Sequence, residues 1–161
     1  MQSLCALGHF DFNMPGQYSY ETALSTCQQL DLGHQSLRQL YKRMVFNVVA
    51  RNQDDHTRNI AFLMDREGNW RLAPAFDIIW SYNAQGEWTN RHQMTVNGKQ
   101  NGFLKQDFID VARQFRISRP LEILADVGGA VRRWPDFAEE VDVEPKRITQ
   151  IASTHRLKTV V

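Results

Sequence analysis

The sequence predicts a mainly α domain that carries one small β-hairpin. Apolar residues recur at three- and four-residue steps through residues 36–51, as Leu37, Leu40, Tyr41, Met44, Val45 and Val48, which marks one buried helix face. Two apolar runs, Ile60-Ala61-Phe62-Leu63-Met64 and Trp70-Arg71-Leu72, flank the turn-forming residues Asp65-Arg66-Glu67-Gly68-Asn69. Gly68 can supply the left-handed backbone that a hairpin connection needs, so residues 60–72 read as two antiparallel strands. Helical patterns then resume for the last third of the chain.

The remaining elements follow from local chemistry. Residues 1–18 read as a loop or extended lead-in, with turn chemistry at Asn13-Met14-Pro15-Gly16. Ser19 can cap a helix from Tyr20 to about Leu30, with Glu21 in its first turn to suit the helix dipole, and Leu32-Gly33 ends it. The helix of residues 36–51 delivers the chain into Asn52. Pro74 ends the second strand because proline removes a ladder donor. Residues 83–102 are polar and predict a loop with one short strand, Gln93-Met94-Thr95-Val96. Phe108, Val111, Ala112 and Phe115 share a face of the next helix, residues 107–115. Pro120 suits the first turn of a helix reaching about Arg133, where Gly128-Gly129 weakens it or permits close packing. Trp134-Pro135 breaks that helix, Asp136-Phe137 begins a short segment, and Pro145 begins a last helix to about Leu157.

Composition narrows the class. The chain has 161 residues, the size of one domain with one sizeable core, and its apolar share of 42% is that of a globular protein. Nineteen basic residues face 18 acidic ones, a formal net charge of +1 with the signs interspersed, so direct nucleic-acid binding is not expected. Cys5 and Cys27 make neither a disulfide framework nor a metal set and read as small buried hydrophobes. No basic leader is present and no stretch approaches the ~20 apolar residues of a membrane span, so a cytoplasmic protein without a membrane partner is expected.

The chemistry concentrates between Asn52 and Asp77. Asp54 and Asn59 end a D-x-x-x-x-N pattern, and Asp77 follows beyond the hairpin. In protein kinases this spacing is the catalytic loop, in which the Asp receives the substrate hydroxyl proton and the Asn holds Mg²⁺, with a second metal-binding Asp beyond a hairpin. Mg²⁺ prefers oxygen ligands, which Asn59 and Asp77 offer, leaving Asp54 to orient a hydroxyl. Asp54 and Asp55 are adjacent, so one of them faces the site. His56 can donate to a phosphate oxygen or can bond the backbone to hold the loop. Arg58 can contact phosphate or pair with a loop acid. Trp70, Phe76, Trp80 and Tyr82 flank this region and read as packing residues.

The run "NQDDHTRNIAFLMDREGNWRLAPAFDI", with "DFNMPGQYSYETAL" before it and "HQMTVNG" after it, resembles the C-terminal catalytic domain of the HipA-like serine/threonine kinases, toxins of toxin–antitoxin pairs. The resemblance extends to about Ile117. It implies a helical domain like a kinase C-lobe, with Asp54 as catalytic base and Asn59 and Asp77 as Mg²⁺ ligands; from their own place in the loop, His56 and Arg58 are expected as the contacts to the ATP cofactor. It also implies a protein substrate in translation and a DNA-binding antitoxin partner. A Gly-rich phosphate loop and a strand Lys are not found in the sequence. The expectation is therefore one domain over residues 1–161, working with an N-terminal kinase half that cradles the nucleotide. Two rivals keep the same residues: a binding module that retains an antitoxin surface without catalysis, and a small metal-dependent phosphohydrolase, which lacks a two-metal carboxylate set.

Overall fold

In the computed structural model, which describes residues 1–161, the chain begins with a two-residue strand, β1 (Gln2–Ser3), and a short helix, α1 (Leu4–Gly8). Ser3 caps α1 by accepting the Ala6 N–H at 3.1 Å, and Leu4 is fully buried. Next come α2 (Tyr20–Gln29) and α3 (Gly33–Val49). Ser19 caps α2 through the Thr22 N–H at 3.0 Å, as its sequence position predicts. The periodic residues of α3 are all buried against α2 and the later helices.

The hairpin forms where the turn residues place it, as β2 (Ala61–Met64) and β3 (Trp70–Leu72). Asp65 closes its tip by accepting the Asn69 N–H at 2.8 Å, and Gly68 takes the left-handed conformation with φ +87°. Phe62 pairs with Leu72 on one side and with Gln2 on the other. The sheet is therefore three-stranded and antiparallel, in the order β1-β2-β3, with β2 central.

The last third is helical: α4 (Lys105–Gln114), α5 (Pro120–Arg132), α6 (Trp134–Glu139) and α7 (Pro145–Thr154). Tyr41 ties α3 to α4 by donating to the Phe108 carbonyl at 2.9 Å. A methyl on Gly128 would stand 2.9 Å from the Val160 side chain, so this glycine permits the chain end to lie against α5. Cys27 lies wholly inside the core, where burial pushes its thiol up to about 12, and Cys5 donates to the Phe10 carbonyl. No helix is long and apolar enough to cross a membrane.

The mainly helical architecture and the hairpin agree with the sequence reading, and two local details differ from it. Residues 1–18, read as a loop or extended lead-in, contain β1 and α1, because the edge of β2 offers Gln2 and Ser3 a partner that local sequence does not reveal. Gln93-Met94-Thr95-Val96 forms isolated bridges, Thr95 to Ser19 and Val96 to Lys99, in place of a strand. The Gln93 N–H goes to a side-chain carboxylate, Asp55, and so is lost to any ladder.

Asp107 organises the turn into α4. Its carboxylate accepts the Leu104 N–H at 2.8 Å, the Asn97 amide at 2.9 Å and the Lys99 ammonium at 2.9 Å. Burial opposes its ionisation, but these donors outweigh burial and hold its pKa below the usual carboxylate range. A carboxylate with a depressed folded pKa stabilises the fold above its unfolded value, and that contribution is lost as pH falls through the folded value. Asp107→Ala is expected to lower the unfolding free energy by about 1–3 kcal/mol at neutral pH. In urea titrations the deficit should shrink on acidification below the normal carboxylate range, and a deficit independent of pH would contradict this.

Candidate active site

The loop between α3 and β2 carries the polar cluster. Arg51 turns the chain out of α3 with φ +61°, and the Asn52 N–H returns to the Asn47 carbonyl at 2.9 Å. A short 3₁₀ turn, Thr57–Asn59, then leads into β2. The segment after β3 returns beside this loop. Gln53 N–H donates to the Ser81 carbonyl and Ser81 N–H to the Arg51 carbonyl, both at 3.0 Å. Asn52 Nδ2 donates to the Asp77 carbonyl at 3.2 Å, so Asp77 is tied to the start of the loop. Asp77 itself is left-handed, φ +54°, a conformation that Asp tolerates better than most residues, and its side chain is exposed.

Asp54 and His56 face one open cleft of about 220 Å³, lined also by Phe12, Asn13, Trp88 and Gln93. His56 Nε2 stands 3.8 Å from Asp54 Oδ1, and the ring meets Phe12 edge-on at 5.8 Å. Its Nδ1 is buried without a partner, so the imidazole does not hold the loop by bonding its backbone. Arg58 is exposed and stacks over Phe12 at 4.7 Å; it forms no ion pair with a loop acid. Asn59 gives its amide NH₂ to the Asp54 carbonyl at 2.9 Å. That bond fixes the amide's orientation and leaves its oxygen as the atom available to a ligand.

The donor chemistry fits a hard divalent cation. The Asn59 amide oxygen and the exposed Asp77 carboxylate accept no hydrogen bond from the chain, and both are the oxygen donors that Mg²⁺ prefers. No group of three His, Cys, Asp or Glu side chains that could by itself hold a metal ion is present.

The model of the HipA-like C-terminal domain matches residues 1–155. The chain belongs to that family. Among solved structures it is similar to a chain of the toxin–antitoxin complex of HipA, HipB and operator DNA from Shewanella oneidensis MR-1, at 12% identity and a TM-score of 0.62. That match covers 88% of this chain and 34% of the other, so the chain spans about a third of the length of its structural relative. At such identity the likeness establishes the fold alone. No curated protein matches the sequence.

Within this HipA-like domain the second acid of the loop has a different environment from the first. Asp55 is buried, 2% exposed, where Asp54 is half-exposed. Asp55 Oδ2 accepts the Tyr20 hydroxyl at 2.8 Å and His92 Nδ1–H at 2.7 Å, and Oδ1 accepts the Gln93 N–H at 2.8 Å. The network continues both ways. Asn47 Nδ2 donates to the Tyr20 oxygen at 2.8 Å, and Asn52 Nδ2 reaches Asn47 Oδ1 at 3.1 Å as well as the Asp77 carbonyl. On the other side, Arg156 Nη1 lies 2.8 Å from His92 Nε2. A guanidinium only donates, so Nε2 accepts and the ring carries its proton on Nδ1, facing Asp55.

Electrostatics follows from this burial. Burial first, and then the Asp55 charge, raise the Tyr20 hydroxyl well above its ordinary value, so Tyr20 remains a donor. Burial, and then the nearby Arg51 charge, push Arg156 down to about 10, which leaves it protonated at neutral pH. The buried Asp55 charge is thus balanced by Arg156 through a neutral imidazole. Sequence reasoning did not find Tyr20, Asn47, Asn52, His92 or Arg156 as members of this cluster. The doubled acid Asp54-Asp55 is the one signal that points towards it.

Removing Asp55 leaves three buried donors, the Tyr20 hydroxyl, His92 Nδ1–H and the Gln93 N–H, without their acceptor, and leaves Arg156 without its balancing charge. Asp55→Ala is expected to destabilise the fold by about 3–5 kcal/mol, whereas Asp54→Ala should change stability by no more than about 0.5 kcal/mol. Denaturant titrations of the two variants check this, and similar losses for both would contradict the assignment of inward and outward acids.

Proposed function

We propose that this chain is the catalytic half of a HipA-like serine/threonine protein kinase, the toxin of a toxin–antitoxin pair. The observation that carries this reading is the pairing of an outward Asp54, open to a cleft beside His56, with an Asn59 side chain fixed on the Asp54 carbonyl. Asp54 orients a Ser or Thr hydroxyl and receives its proton as the oxygen attacks the terminal phosphorus of ATP and the bond to the bridging oxygen of ADP breaks. Asn59 and Asp77 hold Mg²⁺, which when bound neutralises charge on the phosphates. His56, whose ring lines the cleft, donates to a phosphate oxygen. Arg58, held over the Phe12 ring, adds positive charge beside the cleft.

Family membership and the fold likeness support this reading, and so does the composition of the complex that contains the structural relative. That complex joins HipA to HipB and operator DNA. A DNA-binding antitoxin is accordingly the partner proposed for this chain, with DNA contacted through it. The protein substrate is bound by groups around the Asp54 cleft. Nucleotide binding is shared with an N-terminal kinase half, because phosphoryl transfer depends on positioning the phosphates as well as the hydroxyl.

The test is radiolabel transfer from ATP to Ser or Thr, by the chain alone and by the chain joined to a HipA-like N-terminal half. The chain alone should transfer slowly or not at all, and the joined protein should be active. Asp54→Ala and Asp77→Ala should each lower that activity by at least about 100-fold while the fold persists. Fast transfer by the chain alone would overturn the division of labour. A joined, ATP-binding protein without transfer would establish the non-catalytic binding module instead.

A further inference from the structure

We propose that residues 154–156 form a clasp that positions the catalytic loop, and that Arg156 is its positioning residue. The inference rests on the kinase reading above. α7 ends at Thr154, and the chain then crosses the C-terminal end of α3. There it bonds to the back of the site at four points. The Thr154 carbonyl accepts Arg51 Nε–H at 2.9 Å, and Thr154 Oγ1 accepts Trp80 Nε1–H at 2.9 Å. Arg156 N–H donates to the Val49 carbonyl at 2.8 Å, and its guanidinium donates to His92 Nε2 at 2.8 Å. Val49 and Arg51 bracket the point where the chain leaves α3 for the Asp54 loop. Trp80 follows Asp77 in the returning segment. The clasp therefore grips both strands of backbone that carry the proposed base and metal ligands.

Arg156 suits this task by its geometry. Nη1 holds His92 while Nη2 donates to Asn101 Oδ1 at 2.6 Å, so one planar group fixes an imidazole and a loop amide together. Lysine offers a single ammonium and lacks that fork. Through His92 the constraint reaches Asp55, and with Asp55 held inwards the adjacent Asp54 is left facing the cleft. Through Tyr20, Asn47 and Asn52 it reaches the Asp77 carbonyl. Arg156 touches neither the cleft nor the proposed metal ligands, so it acts through other residues. It also lies one position beyond the stretch matched by the family model, which ends at residue 155.

The experiment compares the full chain with Arg156→Gln and Arg156→Lys. One readout is amide hydrogen exchange and the other is Mn²⁺ affinity measured by water-proton relaxation. Arg156→Gln should speed exchange at the Gln53 and Ser81 amides, which join the two backbone strands, and leave the Ala73 amide of the hairpin base unchanged. Mn²⁺ affinity should fall by about tenfold or more, the usual cost of losing support behind a metal ligand. Arg156→Lys should recover part of both effects. If Arg156→Gln does not fold, Thr154→Val, which removes the Trp80 acceptor, carries the same comparison. Unchanged exchange and unchanged Mn²⁺ affinity would overturn the clasp. Loosened amides in a chain whose wild type binds no Mn²⁺ would sustain the clasp and sink the metal assignment, so the two failures are distinct.

Discussion

A buried carboxylate, that of Asp55, is the interaction on which the rest of the site depends. An isolated charge inside a protein costs many kcal/mol, and it persists only where donors and an opposite charge surround it. Asp55 takes its donors from three places: Tyr20 at the start of α2, the His92 ring and the Gln93 backbone. Each of those groups must arrive at one point for the charge to be tolerated. The entry angle of α2, the path of residues 92–93 and the course of the loop between α3 and β2 are therefore fixed together. Arg156 brings the balancing charge from the end of the chain.

This arrangement separates two tasks between two adjacent acids. The inward acid is saturated with hydrogen bonds and is unavailable for chemistry. The outward acid, Asp54, has one weak neighbour, His56 at 3.8 Å, and keeps its lone pairs free. A base that must accept a proton from a positioned hydroxyl needs that freedom, and it also needs a backbone that does not drift. The buried network supplies the second requirement without consuming the first. The short Asn59 contact to the Asp54 carbonyl works in the same sense, because it ties the proposed metal ligand to the backbone of the proposed base.

Much of the fold is legible in the sequence because its signals are local. The apolar repeat of α3, the Ser19 cap, the Gly68 turn and Pro120 each act within a few residues of themselves. β1 is illegible because it has two residues and exists only through pairing with Ala61 and Phe62 across the chain. The misread strand at Gln93 shows the same limit, since its N–H is claimed by a distant side chain. At the site, the spacing of Asp54, Asn59 and Asp77 is readable as a pattern. Its support is unreadable because Tyr20, His92 and Arg156 have ordinary local surroundings and meet only in three dimensions. Tyr20 looks like the first residue of a helix, and His92 like one more residue of a polar loop.

The claim that joins fold to function is that one divalent cation is shared by Asn59 and Asp77 beside Asp54. Anomalous diffraction from crystals grown with Mn²⁺ and a non-hydrolysable ATP analogue, on the chain joined to a HipA-like N-terminal half, measures this directly. The account predicts an anomalous peak about 2.1 Å from both the Asn59 amide oxygen and an Asp77 carboxylate oxygen, the distance typical of the Mg²⁺ that Mn²⁺ replaces, with Asp54 facing the terminal phosphate. A well-ordered complex whose metal touches neither residue, or whose Asp54 and Asp77 point to opposite faces of the domain, would contradict it.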